Sequence, residues 1–172
     1  MRNRFALVAA MVALPLATAT AQTVSPRNVI SLQPLNAMMT VFAGEYERGL
    51  GKAASWGLGA TYWDSDGDFS DVTYSSGDFK VRYYPQGTSL QGFSFGGSLG
   101  YTSVKETITS QENSGGGVTF GVLLEYQWLM GTKKNFSMAL GAGAKAIMVD
   151  EADFGDVTGR YPTARVSIGY AW

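Results

Sequence analysis

The feature that most constrains this chain is an alternation of period two that recurs in seven separate segments and has the same sense in each. In Phe93–Thr102, Phe93, Phe95, Gly97, Leu99 and Tyr101 fall on one face, opposite Ser94, Gly96, Ser98, Gly100 and Thr102. In the segment from Val118, the bulky series Val118, Phe120, Val122, Leu124, Tyr126 and Trp128 alternates with Thr119, Gly121, Leu123, Glu125 and Gln127. The same pattern runs through 37–48, 56–62, 79–84, 136–148 and 163–172. A period of two is that of a strand whose two sides meet different surroundings. Here the bulky aromatic side faces a side of Gly, Ser, Ala and scattered charge. A soluble sandwich packs its bulk inward and carries dense Lys and Glu outward. The opposite arrangement suits a closed sheet with a narrow interior and an apolar exterior, and it is helped by 22 glycines and 13% aromatic residues.

The patterned segments run to roughly 10 residues, the length of strand that crosses a bilayer at a steep tilt. Between them, 49–54, 85–92 and 129–135 are less acidic, whereas 64–72, 106–117 and 150–159 are long and acidic. Single-chain bacterial barrels have an even number of strands. Val29–Gln33, turned by Pro34-Leu35-Asn36, is the candidate for an eighth; the alternative is that 29–48 forms one long kinked strand. The expected fold is therefore all-β, an eight-stranded antiparallel up-and-down transmembrane barrel.

The N-terminus adds an address. Met1–Arg4 is basic, Phe5–Leu16 is apolar, and Ala17–Ala21 is small, which together read as a secretory signal peptide cleaved after Ala21. The expected organisation is a signal peptide over 1–21 and a barrel over 22–172. Cleavage removes Arg2 and Arg4 from 13 basic residues, leaving eleven against 14 acidic ones, so no basic surface for nucleic acid is expected. With no cysteine there is no disulfide framework.

The last strand alternates Ala164, Val166, Ile168, Tyr170 and Trp172 with small or polar residues, and closes on two aromatics. This ending resembles the C-terminal strand of bacterial outer-membrane β-barrels, and the whole pattern is similar to the small barrel group of outer membrane protein X and the barrel of outer membrane protein A. The resemblance implies that Tyr170 and Trp172 are the signal read by the barrel-assembly machinery. It also implies residence in the outer membrane among lipid and lipopolysaccharide, as a monomer, with a role in envelope integrity, adhesion or host contact. Even the longer, acidic loops are short for an adhesin, which is a departure from that role.

Three groups of residues bear on chemistry. The inward face collects Glu45, Glu47, Asp78, Lys80, Arg82, Glu125, Gln127, Lys145 and Arg165, four acids against four bases, which in a narrow interior form an ion-pair plug. A proton or ion path is the alternative. Asp64-x-Asp66-x-Asp68 has the start of a calcium loop, but Phe69 stands where the sharp turn needs Gly and Ser75 where the bidentate Glu belongs. A weak divalent-ion loop and a plain solvated loop both stay open. With no histidine and no cysteine, Ser-His and Cys nucleophile chemistries are removed, no enzyme is expected and no cofactor is implied. Two further functions stay open, a barrel passing small hydrophobic molecules sideways into the membrane and a secreted lipocalin-like binder. The first has Met39, Val41, Leu123 and Ile147 as its only apolar lumen material.

Overall fold

In the computed structural model the described residues are 26–37, 40–66, 71–108, 111–149 and 157–172. The expected signal peptide lies outside them. The strands are β1 (Asn28–Leu32), β2 (Val41–Leu50), β3 (Ala54–Asp66), β4 (Asp71–Tyr83), β5 (Gly92–Ile108), β6 (Gln111–Met130), β7 (Phe136–Val149) and β8 (Val157–Ala171), with one helical turn, α1 (Pro34–Ala37), between β1 and β2. Each strand pairs antiparallel with the next, and β1 pairs with β8, so the sheet closes into the expected eight-stranded barrel.

The register gives the size of the barrel. Stepping across the pairs from Leu32 leads through Gly44, Ala60, Gly77, Tyr101, Val118 and Met148 to Thr158. Yet Leu32 is paired directly with Ile168, ten residues further along β8. Eight strands closed with that offset tilt by about 40–45° and leave an interior that side chains fill. At that tilt a residue rises ~2.3 Å along the axis, so about eleven residues cross a 25 Å apolar belt.

Alternation assigns the two surfaces. Leu58, Phe79, Leu99, Val122, Leu124, Leu140 and Ile168 point outward and are about half exposed, while the buried polar residues Glu45, Lys80, Arg82, Thr119 and Glu125 point inward. Aromatics gather toward one rim, where Tyr46 meets Trp56 edge-on at 5.7 Å, Trp56 stacks on Phe79 and Tyr170 stacks on Trp172 at 6.0 Å. This rim is closed by the chain itself. Leu90, from the β4–β5 connection, is fully buried against Val29 and Ala171, with Leu129 packed beside them. It holds a left-handed φ of 66°, unusual for a leucine, and Ser89 Oγ donates to the Gly51 carbonyl at 3.0 Å, pinning this connection to the β2–β3 turn.

Several boundaries differ from expectation, among them the connection expected over 64–72, whose two ends are ladder, with β3 running to Asp66 and β4 starting at Asp71. The strand expected from Ala37 begins at Val41, because Pro34–Ala37 form α1 and Thr40 takes a left-handed φ of 61°. The stretch 108–117, loop-like by its Gly and polar content, is mostly ladder: β5 and β6 stay paired out to Ile108 and Gln111. The stretch 150–159 yields its last residues to β8, which starts at Val157. In each of the last two cases a neighbouring strand supplies hydrogen bonds that local propensity does not predict.

Between α1 and the start of β8 the wall is made differently from elsewhere. Among the described residues, β8 pairs with β1 only from Ile168 to Ala171, and above Ile168 its ladder is to β7 alone. α1 packs against both β2 and β8 there. Pro162, with no N–H to give, falls on this single-partnered stretch, which is where a strand tolerates proline.

Candidate functional site: the charged lumen

Each lumen charge reaches its place by strand alternation. Glu45 and Glu47 come from β2, Asp78, Lys80 and Arg82 from β4, Glu125 and Gln127 from β6, Lys145 from β7 and Arg165 from β8. Facing β2 and β4, strand β3 contributes Gly57 and Gly59, and the absence of side chains is what admits the charged heads. A Cβ on Gly57 would sit 3.4 Å from an Arg82 guanidinium nitrogen and 3.0 Å from the Tyr46 carbonyl, and one on Gly59 would sit 3.1 Å from Lys80 Nζ.

Glu45 is the hub. Its carboxylate accepts from Arg82 at 2.6 Å and from Arg165 at 3.2 Å, and Lys80 donates to its other oxygen. Arg165 also donates to Glu125 at 2.8 Å and to Ser31 Oγ at 3.2 Å. Arg82, wholly buried, has Glu47 at 3.4 Å and Glu125 at 3.5 Å as well, so three carboxylates surround one guanidinium. These last two approaches are ion pairs without hydrogen-bond geometry, since Arg82 Nε and Nη1 have no bonded partner among the described residues. Lys145 stands apart with Asp78, donating to both carboxylate oxygens at 2.7 and 2.8 Å. The eight charged residues singled out in the sequence thus converge on two groups, six connected through Glu45 and Arg82 (these two with Glu47, Lys80, Glu125 and Arg165) and the Asp78–Lys145 pair nearby.

Toward the aromatic rim the charges pass into a layer of hydroxyls. Ser55 Oγ donates to Glu47 at 2.5 Å, and Tyr84 stands 2.8 Å from Glu47 and 3.1 Å from Gln127, whose amide donates to Ser137 at 3.1 Å. Ser31, Ser55 and Ser137 were not legible as members of the site because nothing in their type demands a partner. The alternation that puts Arg82 and Gln127 inside also puts them there. A buried carboxylate needs this layer: left without donors it loses several kcal/mol of solvation.

The other candidate groups lie elsewhere. Tyr170 is on the outer face of β8, and the Trp172 carbonyl accepts from the Arg27 and Asn28 amides at 2.9 and 3.0 Å, so the end of the chain is sewn to the beginning of β1. Asp64 accepts a hydrogen bond from Thr73 across the β3–β4 ladder at 3.0 Å. The side chain of Asp66 and the whole of Asp68 lie outside the described residues, and among the described residues no three acidic side chains gather as metal ligands would. Nor is any helix there long and apolar enough to cross a membrane.

No family model matches the chain, and no curated protein matches it. Solved structures do share its arrangement. The N-terminal β-barrel domain of Pseudomonas aeruginosa OprF aligns over 87% of this chain and 100% of its own, at 15% identity and a TM-score of 0.51. Ail, the attachment invasion locus protein of Yersinia pestis, aligns over 87% of this chain and 100% of its own, at 13% identity and a TM-score of 0.53. The resemblance to small outer-membrane β-barrels that the strand pattern, Tyr170 and Trp172 carry is therefore matched in the fold, which is a closed eight-stranded barrel like those of OprF and Ail.

Proposed function

We propose that this protein is an exported outer-membrane β-barrel with a structural or surface-contact role and no catalytic one, its lumen closed by ion pairs. The observation that carries the reading is the inversion of the usual protein plan. Bulky apolar side chains cover the outside of a closed sheet while eight charges are gathered inside it. Soluble proteins rarely leave contiguous apolar patches above a few hundred Å². A belt running right round a barrel matches a hydrocarbon slab, and barrel closure satisfies the strand edges except along β8 above Ile168, where α1 packs. The same inversion leaves a lipocalin-like apolar cavity without walls.

Orientation follows from charge. Arg48, near the end of β2, and Lys52, Lys133 and Lys134, on the less acidic connections, lie beside the aromatic rim, and most of the acidic residues lie on the opposite hairpins. An acidic outer rim facing lipopolysaccharide phosphates would share divalent cations with them, because two anionic layers in contact need cations between them. Fractionation should place the protein in the outer membrane, and boiled and unboiled samples should migrate differently in detergent gels. Recovery in the soluble fraction with identical mobility would refute the reading. In intact cells an impermeant thiol reagent should label Ser114→Cys and spare Thr132→Cys; the reverse result would invert the orientation.

A further inference from the structure

Beyond the ion-pair hub, on the side of the β3–β4, β5–β6 and β7–β8 hairpins, the lumen is not filled. A cavity of ~210 Å³ lies there, with the hydroxyls of Thr61, Tyr74, Ser76, Ser98, Tyr161 and Thr163 on its walls. Lys80, Lys145 and Arg165 reach it from the hub side, and the carboxylates Asp78 and Glu125 line it beside them. The charges around it are not presented evenly. The side chains of Lys80, Lys145 and Arg165 are 11, 19 and 14% exposed, whereas their partners Glu45, Asp78 and Glu125 are 1, 5 and 2% exposed. In each pair the cation is the more exposed partner. A neutral group of eight charges therefore shows the cavity more of its cations than of its carboxylates. Arg165 Nε, buried and without a hydrogen-bond partner among the described residues, belongs to the same wall.

From this we infer that the outer half of the lumen is a binding site for a small oxyanion, a phosphate or carboxylate group. Charge-assisted hydrogen bonds from an ammonium and a guanidinium are the strong contacts for such a group, and a ring of hydroxyls supplies further donors. The low-dielectric wall of a narrow barrel concentrates the field of the three cations on the cavity. Its volume suits one such group with a few waters, and is below that of sites for drug-sized ligands. The pocket is blind, because Arg82 and the layer of Tyr84 and Leu90 close the barrel beneath it. One wall is not strand: Gln33 and Asn36, bonded to each other at 3.2 Å, line the cavity where α1 stands between β2 and β8. The anion thus has two sources, a free ion entering from the hairpin end or a lipid headgroup reaching in past α1. The inference goes beyond the envelope role; the lipid-headgroup source rests on that reading, and the free-ion source does not.

The test is an amide NMR titration of the full barrel in a maltoside detergent, adding inorganic phosphate against chloride at constant ionic strength. A second arm uses nanodiscs containing phosphatidic acid, compared with phosphatidylcholine alone and no free phosphate. Saturable shifts at Thr61, Ser98 and Thr163 are expected in at least one arm, and the arm that responds identifies the source. The charge-balanced double variant Asp78→Asn/Lys145→Gln should bind at least tenfold more weakly. A second pair, Ser98→Ala/Thr163→Val, keeps all eight charges and should weaken binding severalfold. Lys133→Gln, in the β6–β7 turn, should bind as the wild type does. Absence of saturable shifts with both probes would overturn the inference, as would wild-type affinity in both double variants with their barrels folded.

Discussion

Replacing Arg82 with methionine isolates the contribution of the hub, because the stem volume is largely kept while the only fully buried cation among the described residues is removed. Arg82 faces Glu45 at 2.6 Å, Glu47 at 3.4 Å and Glu125 at 3.5 Å. After substitution Glu45 keeps Lys80 and Arg165, and Glu125 keeps Arg165, but Glu47 is left with the Ser55 and Tyr84 hydroxyls and no cation. The interior charge moves from zero to one uncompensated negative charge. Breaking a buried pair in this way costs ~3–5 kcal/mol. The surviving partners put the expected loss near the lower end, about 3 kcal/mol, or roughly a hundredfold in the unfolding equilibrium. Urea unfolding of the refolded barrel in lipid vesicles, followed by tryptophan fluorescence, reads this as a lower midpoint at unchanged slope. Adding Glu47→Gln should recover at least half of the loss, because it restores neutrality without restoring any contact. A single variant within about 0.5 kcal/mol of wild type, the range of ordinary surface substitutions, would refute the ion-pair account. So would a double variant no more stable than the single one.

Deleting Trp172 should lower outer-membrane levels far more than Trp56→Ala does, since Trp172 both ends the strand expected to be read during assembly and bonds to Asn28 across the closing seam; equal levels on immunoblots would contradict this. Leu90→Ala should cost about 2 kcal/mol, the low end for a buried leucine because its cluster is small, measured by the same urea series. The wild-type barrel should show no steady conductance in planar bilayers, and neither should Leu90→Ala, because the Arg82 hub still blocks the bore; steady channels from wild-type protein would refute closure.

The architecture was legible wherever a strand separates two unlike environments over its whole length. Phe93–Tyr101 and Val118–Trp128 alternate without interruption, and they are strands with the predicted sides in and out. The eight lumen charges followed from the same alternation, since a one-residue shift would have put Lys80 and Arg82 in the apolar belt. What stayed hidden is local or borrowed. α1 is four residues long, too short to show a helical period, and its Pro34 signalled only a break. The extension of β5 and β6 through Gly115, Gly116 and Gly117 depends on cross-strand pairing and not on those residues' own preference. Leu90 was the one bulky apolar residue in an otherwise polar connection, a signal available in the sequence. Its partners, Val29 and Ala171, are distant in the chain and become neighbours only when the barrel closes.

Barrel size, glycine content and charge balance are one problem with one solution. Eight strands offset by ten residues leave a bore too narrow for water to solvate a charge fully, so each charge inside must be matched by another. Matching requires long side chains to meet near the axis, and their heads need space that neighbouring wall positions must yield. Gly57 and Gly59 stand beside Arg82 and Lys80 for that reason, and Gly121 has the Lys145 stem against it. An alanine at any of these positions would compete for volume with a paired charge. Conversely, a glycine-lined wall without the charges would leave voids that apolar side chains would have to fill, and the lumen would lose its hydrogen-bonded, strand-to-strand ties. The ion pairs join β2 and β6 each to β4 and β8, strands that are not neighbours in the sheet, and so brace the barrel across its diameter, where backbone ladders cannot reach.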